Sequence, residues 1–317
     1  MLVEDRIYGK FKIDSPVLVE LINSPSIQRL KGINQLGIPP KYYLFPSYSR
    51  YEHSIGVMLL LNHLDANEEE QIAGLLHDAS HTAFSHMIDW VIKGQGGGES
   101  YQDETHLSFL KKTELPSILK RFGYNVENIA DYHRFSLLER VIPDICADRV
   151  DYALREFPDD VVSACLASLT VKDGFMVFAD DYAAKLFAEK YLERQKINWG
   201  GLEASNRYFY FAQALKRAME LGLIKFEDFY KDDAYILDLI KDCQDEGFKK
   251  IITALNVKKW DNLPQSGQRM AKKVRYVDPL CVSGEDVRHL SEIDPDFKQK
   301  LDEDLAEQKK GVPIILI

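Results

Sequence analysis

Apolar residues recur at helical spacing over most of the first two thirds of the chain. In residues 15–36 they return every three or four positions, with a turn at Pro25: Leu18, Leu21, Ile22, Ile27, Leu30 and Ile33. Similar patterns predict helices over residues 137–156, where Pro143 lies near a helix start, and over residues 180–222. The pattern therefore predicts a mainly α-helical body.

Two helix starts can be placed from their capping residues. An S-x-x-E motif at residues 49–52 precedes an apolar run, so His53 is expected in the first turn of a helix. An N-x-x-E motif at residues 67–70 begins the next apolar stripe. That stripe places His77 and Asp78 near the C-terminal end of its helix.

The pattern changes beyond residue 258. The stretch KKVRYVDPLCV alternates polar and apolar residues, and the final GVPIILI is a short β-type run. We expect a helical bundle with a small C-terminal α+β appendage, divided into residues 1–225 and residues 226–317. The final run could pair with its own chain or with another subunit, and the pattern leaves both alternatives open.

One glycine-rich stretch, KGQGGGES at residues 93–100, needs separate interpretation. A phosphate-binding loop would follow a strand and end in Lys-Ser or Lys-Thr, and neither feature is present. We predict a connection or lid beside a site.

Composition narrows the class of protein. The 317 residues are 45% hydrophobic and 28% charged, which is typical of a globular domain, and no apolar run reaches the length of a membrane span. The net charge of -10 argues against nucleic acid or an anionic membrane as the main partner. Four dispersed cysteines and the lack of a signal-peptide pattern predict a cytoplasmic location.

The distribution of histidine points to chemistry. Six of the eight histidines lie in one stretch of the first third: His53, His63, His77, His81, His86 and His106. Imidazoles combined with carboxylates suit first-row transition metals. Isolated histidines more often serve as hydrogen-bonded structural residues, the role we predict for His63, His133 and His289.

A further ligand must come from a distant segment, and two aspartates qualify. Asp148 and Asp151 both lie on a predicted helix. Asp148, Tyr152 and Arg155 share one face of that helix, and Arg149 flanks it, a combination that suits a metal-bound phosphate ester. The spacing alone does not choose between the two aspartates.

Three ordered motifs resemble the HD-domain superfamily, and in particular its dNTP triphosphohydrolase branch: RYEHSIG (50–56), LLHDASHTAFSHMID (75–89) and DRVDYALRE (148–156). The likeness extends upstream through SPSIQRLKGINQLG and downstream to the TH of QDETHLSF, over about residues 5–220. It implies an HD-domain helical bundle.

The resemblance also implies roles for individual residues. The metal ligands would be His53, His77, Asp78 and Asp148, which selects Asp148 over Asp151. His81 would contact phosphate, and His86, Asp89 and His106 would supply proton transfer to the leaving oxygen. The substrate-binding residues would be Gln35 and Leu36 beside the sugar, and Arg50, Arg149 and Tyr152 at the phosphates.

The implied activity is metal-dependent release of a deoxynucleoside and inorganic triphosphate from a dNTP. The metal would be Mn, Fe, Co, Ni or Zn, with Mg as an additional ion, and the implied assembly is a homo-oligomer, either a dimer or a tetramer. Alternatives are hydrolysis of another phosphoester (a nucleoside monophosphate or a modified, cyclic or alarmone nucleotide) or a non-catalytic nucleotide sensor. Asn23 and Lys31 depart from the residues expected to read an activating guanine nucleotide, and only Lys190 and Arg194 are candidates for a further phosphate-binding cation.

Overall fold

The computed structural model of the protein describes residues 1–43, 47–94, 100–260, 262–271 and 273–317. Most of the predicted glycine-rich lid, residues 95–99, therefore lies outside the described residues. Within the described ranges the α-helices are α1 Pro16–Ile22, α2 Pro25–Arg29, α3 Arg50–His63, α4 Glu68–Leu76, α5 Met87–Lys93, α6 Tyr101–Leu110, α7 Leu115–Arg121, α8 Val126–Ala130, α9 Ala147–Leu154, α10 Asp159–Ser168, α11 Asp181–Arg194, α12 Leu202–Glu220, α13 Asp233–Ile240, α14 Glu246–Leu255, α15 Leu290–Ile293 and α16 Pro295–Lys309.

Shorter helical turns and strands complete the described elements. The 3₁₀ turns are Leu30–Gly32, Pro40–Tyr42, Tyr132–Arg134 and Phe226–Tyr230, and a π-helical turn is Gln195–Trp199. The strands are β1 Leu2–Asp5, β2 Gly9–Lys12, β3 Leu169–Lys172, β4 Phe175–Phe178, β5 Gln265–Met270, β6 Leu280–Ser283, β7 Asp286–His289 and β8 Val312–Ile315. The fold is mainly α with small sheets, as the sequence predicts.

The predicted capping residues begin their helices. The Ser49 hydroxyl accepts from the Glu52 N–H, while the Glu52 carboxylate accepts from the Ser49 N–H, so the capping box is complete. The Asn67 side chain accepts from the Glu70 N–H at the start of α4. These caps satisfy backbone donors that have no partner within the helix.

The helix predicted over residues 137–156 is wrong in its first half, because α9 begins only at Ala147. The backbone N–H groups of Leu137 and Leu138 both donate to the carboxylate of buried Glu70, at 2.8 and 3.1 Å. The Ala147 N–H then donates to the Leu137 carbonyl at 2.7 Å. Tertiary partners thus take the backbone groups that a helix would have used.

Three small sheets accompany the helices. β1 and β2 form an antiparallel hairpin, β3-β4-β6-β7 is a mixed four-stranded sheet, and β5 pairs antiparallel with β8. The final GVPIILI run therefore pairs within its own chain. The strand predicted in KKVRYVDPLCV is shorter than expected, because β6 begins only at Leu280.

Two hairpins within the predicted helical body, residues 1–225, escaped the sequence-based prediction. β3 and β4 are joined by Asp173 and Gly174, both with positive φ (52° and 76°). An Asp-Gly pair is a common two-residue hairpin signal, so this turn had a readable signature. The β1–β2 hairpin has a weaker one, since Asp5 accepts from the N–H groups of Ile7 and Tyr8 through its side chain.

The described core has two main hydrophobic clusters. One packs α1–α4 with α9–α11, and the other packs α5, α12, α13 and α14. The second cluster includes helices from both sides of the predicted boundary at residue 225, and that division remains a prediction. Among the described helices, none has the length and apolar character to cross a membrane.

Candidate metal centre and active site

Two imidazoles and a carboxylate meet where α3, α9 and the end of α4 pack together. Donor atoms of His53, His77 and Asp148 all lie within 4.8 Å of one another. The two Nε2 atoms are 3.3 Å apart, and the Asp148 Oδ1 lies 3.0 Å from the His53 Nε2 and 3.7 Å from the His77 Nε2. Helices α3 and α9 supply one residue each, and His77 directly follows the last residue of α4.

Hydrogen bonds behind the cluster fix which nitrogen of each ring faces inward. The His77 Nδ1 donates to the Gly74 carbonyl at 2.7 Å, and a carbonyl can only accept. The His53 Nδ1 donates to the Asp151 carboxylate at 2.7 Å. In its neutral form each ring therefore turns an Nε2 lone pair toward the other ring and toward Asp148.

This donor set fits a divalent cation. Two lone pairs and a carboxylate oxygen at close range repel each other unless a positive charge lies between them. Burial lowers the pKa of His77, but Asp78 and Asp148 outweigh that effect and raise it to about 9. A bound metal ion would take the place of the imidazole proton and would pair with the same two carboxylates.

Asp78 lies beside the cluster and is shared with neighbouring cations. Its Oδ1 is 3.4 Å from the His77 Nε2, and its Oδ2 is 3.7 Å from the His53 Nε2. Arg50 donates to Oδ2 at 2.7 Å, and His81 donates to Oδ1 at 3.1 Å. Burial raises the pKa of Asp78, but Arg50 and the imidazoles hold it well below its ordinary value, so Asp78 stays ionised.

Asp151 is not part of the donor cluster but holds His53 from behind. It is fully buried, and its second oxygen accepts from Tyr8 at 3.0 Å. Arg155 donates to both oxygens of Asp151 at 2.8 and 3.1 Å, and to Asp5 at 2.9 Å. Asp151 therefore orients the imidazole of His53, and Arg155 compensates the buried negative charge of Asp151.

Two predictions about this helix and its neighbours need correction. Arg155 does not face a substrate as predicted, because it follows the last residue of α9 and folds back onto Asp151 and Asp5. His133, predicted to be purely structural, is exposed in a 3₁₀ turn and lines the cavity described next.

A cavity of about 940 Å³ opens beside the cluster. His77, Asp78 and Asp148 line it, as do all five predicted substrate-binding residues: Gln35, Leu36, Arg50, Arg149 and Tyr152. Gly37 directly follows the Gln35–Leu36 pair with φ of 73°, and a Cβ there would lie 2.7 Å from the Phe84 carbonyl oxygen. Glycine is therefore required for this wall to approach the loop around Phe84.

The predicted catalytic histidines are not equivalent in position. His81 and His86 line the cavity, with their rings packed edge to face at 4.7 Å. His106 is buried behind it, where its Nδ1 lies 2.9 Å from the Ser80 hydroxyl and its ring packs on Tyr132. Burial lowers the pKa of His81 to about 4 and that of His106 to about 3, so both rings are neutral at neutral pH.

Asp89 contacts the start of α6. Its Oδ1 accepts from the N–H groups of Ser100 and Tyr101, at 3.2 and 3.0 Å, and so holds the start of α6. Since α6 carries His106 one and a half turns later, Asp89 acts on the placement of that histidine.

Comparisons with known proteins identify the fold family. A model of the HD domain family matches residues 50–156. The chain is also 31% identical to the metal-dependent phosphohydrolase cns2 of Cordyceps militaris, over 88% of this chain and 84% of that protein. The chain belongs to the HD-domain family. It is therefore a metal-dependent phosphohydrolase, with His53, His77 and Asp148 as the candidate metal-binding residues.

Other relatives show how far the likeness extends. The uncharacterized protein YdhJ of Bacillus subtilis is 34% identical over 100% of this HD-domain chain and 99% of its own length. The human deoxynucleoside triphosphate triphosphohydrolase SAMHD1 is 40% identical over 105 residues, which cover 28% of this chain and 16% of the human enzyme.

Several residues of this HD-domain site were not singled out from the sequence. Gln102 and Tyr132 both donate to the His77 carbonyl, at 2.7 and 2.8 Å, and fix the turn that carries His77 and Asp78. Gln102 lies four residues before His106 on α6, so helical spacing could have indicated it. Further cavity residues lie outside the three motifs: Trp90, Tyr191, Asn198, Trp199, Tyr208, Lys273 and Arg275.

The C-terminal region also braces the site. Asp233, the first residue of α13, accepts from the Asn34 N–H at 2.9 Å and from the Phe84 N–H at 2.7 Å. Phe84 and Ser85 have positive φ (60° and 56°), which is strained for residues with side chains. Ser85 in turn donates to the Asn34 carbonyl and accepts from Arg50, at 2.6 and 2.9 Å. Asp233 is thus linked, through Asn34 and Ser85, to Arg50, the cation that pairs with Asp78.

Proposed function

We propose that this HD-domain protein is a dNTP triphosphohydrolase that releases a deoxynucleoside and inorganic triphosphate. The observation that carries the proposal is the cavity beside the donor cluster, whose lining includes Gln35, Leu36, Arg50, Arg149 and Tyr152. The similarity of part of the chain to the human dNTP triphosphohydrolase supports the same substrate class.

In this proposal the cluster holds one divalent transition metal. His53, His77 and Asp148 are ligands, and Asp78 is the fourth. A metal ion in such a site lowers the pKa of bound water toward about 7 and so supplies a nucleophile at neutral pH. A 2-His, 2-Asp set accepts Mn, Fe, Co, Ni or Zn, and Mg could serve at the phosphates.

The protein side chains would position the phosphate and move a proton. Water adds to the α-phosphorus, the bond from that phosphorus to the 5′ oxygen breaks, and the 5′ oxygen takes a proton to become the deoxynucleoside hydroxyl. His81 would contact the α-phosphate and His86, on the cavity wall, would supply the proton. His106, neutral and behind the wall, would assist that transfer, placed with the help of Asp89. Arg50 would stabilise the charge that develops on the phosphoryl oxygens.

Incubation of the metal-loaded protein with the four dNTPs tests the proposal. Chromatography of the products should show deoxynucleoside and triphosphate in equal amounts, and no orthophosphate. Absence of deoxynucleoside from every reaction, with the protein folded and metal-loaded, would sink the dNTP assignment.

A second candidate is hydrolysis of another phosphoester. It is favoured by the position of Arg149, whose guanidinium donates to Glu139 at 2.9 Å, to two backbone carbonyls and to the Cys146 sulfur. An arginine held in this way has less freedom to bind a polyphosphate. A panel of nucleoside monophosphates and cyclic nucleotides, with phosphate, pyrophosphate and triphosphate resolved, separates the two candidates.

We also propose a cytoplasmic location and a homo-oligomeric assembly. The cysteines Cys146, Cys165, Cys243 and Cys281 are all free, which suits a reducing compartment. The assembly rests on the family resemblance, and light scattering of the purified protein would measure it directly.

A further inference from the structure

The cations around the cavity fall into two groups. Five lysines and arginines are among its described lining residues: Arg50, Arg140, Arg149, Lys273 and Arg275. The first three come from the HD-domain core. The last two come from the C-terminal region, in the segment between β5 and β6.

Each of the three core arginines makes contacts within the protein. Arg50 donates to Asp78 and Ser85, and Arg149 pairs with Glu139. Arg140 donates to two backbone carbonyls and its guanidinium lies 3.8 Å from the centre of the Phe175 ring. Carboxylates next to Arg50 and Arg149 offset much of their charge, so these arginines alone do not balance a substrate with three or four negative charges.

The C-terminal segment is anchored where it borders the cavity. The Arg275 N–H donates to the Gln308 side-chain oxygen at 2.9 Å, and the Gln308 amide donates to the Arg275 carbonyl at 2.9 Å. Gln308 is buried on α16. These two hydrogen bonds fix the backbone of Arg275 to α16.

The charges of the segment are felt inside the cavity. Burial raises the pKa of Tyr191 to about 12, and the cation of Arg275 opposes that rise. Burial likewise raises the pKa of Asp103, and Lys273 opposes it. Tyr191 and Asp103 both line the cavity, so each of the two cations acts on a residue of the cavity lining.

We infer that Lys273 and Arg275 are substrate-binding residues that hold the phosphates beyond the reacting phosphorus. The inference rests on the proposed function, because only a polyphosphate substrate has such groups. It assigns a task to the C-terminal region: its segment 273–275 completes the phosphate-binding wall and favours nucleoside triphosphates over monophosphates.

Binding of inorganic triphosphate to the metal-loaded protein tests this without any need for turnover. In calorimetric titrations, Arg275→Ala should bind triphosphate about tenfold or more weakly, because a charge-assisted hydrogen bond is lost. Lys273→Ala should lose less, since that side chain is exposed. Arg275→Lys should recover part of the affinity, and the affinity for orthophosphate should change little in all three variants.

Two variants serve as matched controls in the same region. Arg288 and Lys298 are exposed, pair with Asp286 and Asp302, and lie outside the cavity lining, so Arg288→Ala and Lys298→Ala should bind triphosphate as the unmodified protein does. Metal content and melting temperature show whether Arg275→Ala remains folded; if it does not, Arg275→Lys and Lys273→Ala decide.

Equal triphosphate affinity in the Arg275, Lys273 and control variants would overturn the inference, as would an unmodified protein that does not bind triphosphate. Failure of the proposed function looks different. A protein that binds triphosphate through these two cations but releases no deoxynucleoside from dNTPs would keep the inference and lose the assigned reaction.

Discussion

The donor cluster and the outer wall of the cavity, formed by Gln35, Leu36 and residues 273–275, are built in different ways. The donors of the cluster lie within residues 50–156, and each imidazole has a second partner behind it, Asp151 for His53 and Gly74 for His77. The outer wall depends on the C-terminal region. Asp233 accepts from the N–H groups of Asn34 and Phe84, and the Gln308 side chain accepts from the Arg275 N–H. From this difference we infer that the cluster determines whether hydrolysis occurs and that the wall determines which substrate is hydrolysed.

The largest effect is expected from Asp148→Ala. The variant removes the only carboxylate within 3.0 Å of the His53 Nε2 among the described residues. We expect loss of the bound metal and a fall in activity of about a thousandfold or more, because the metal generates the nucleophile. Metal analysis and a nucleotide hydrolysis assay on the same sample check this.

His106→Ala should separate chemistry from metal binding. His106 bonds Ser80 and lies outside the donor cluster, so the variant should keep the metal yet lose about 10²- to 10⁴-fold in rate through impaired proton transfer. If both this variant and Asp148→Ala retained stoichiometric metal, the proposed division of roles would be wrong.

Asp151→Asn should weaken the cluster from behind. An amide is a poorer acceptor for the His53 Nδ1 proton, so metal affinity should fall about 10- to 100-fold in chelator competition. The variant also removes a charge from beside Arg155 and should be less stable. Asp5→Asn is the matched control, since it removes the other partner of Arg155 without touching His53. Equal metal affinity in both variants would contradict the role given to Asp151.

The smallest effect on the metal centre is expected at Asp233, where the change is a pH dependence of stability. Burial raises the pKa of this carboxyl to about 7 from an ordinary value of 3.8. Between these values the folded chain keeps a proton that the unfolded chain has released, so a rise in pH through this window disfavours folding, by up to about 1.4 kcal/mol per pH unit. Asn cannot titrate.

The comparison is therefore between the unmodified protein and Asp233→Asn. The stability of the unmodified protein relative to the variant should decline from pH 4 to pH 7 and level off above it, as measured by urea unfolding at each pH. Two parallel curves over that window would show that Asp233 does not titrate there. Metal content should be the same in both proteins.

The sequence predicts the cluster better than the wall for a physical reason. His53 follows a capping box that fixes its position in α3, and Asp148 lies in the first turn of α9, so local rules place both residues. The choice between Asp148 and Asp151 needed more than spacing, because residues three apart share a helix face and only the packing of α9 on α3 separates them.

The wall is set by contacts between residues far apart in the chain. Asp233 accepts from an N–H group 199 residues away, and nothing in the local pattern near Asn34 indicates that partner. The loop at residues 137–146 was wrongly predicted as helix. Its backbone N–H groups donate to Glu70, a tertiary contact that the local pattern does not show. Segment 273–275 was predicted as strand, and its place at the cavity depends on Gln308 of α16.

The central claim is that the cluster of His53, His77 and Asp148 is the hydrolytic metal centre. The most direct measurement strips the protein with a chelator, returns one transition metal at a time, and follows nucleotide hydrolysis against metal content. We predict that activity rises in proportion to metal up to about one ion per chain, and that stripped Asp148→Ala does not recover. Undiminished hydrolysis by protein with no detectable metal would contradict the account.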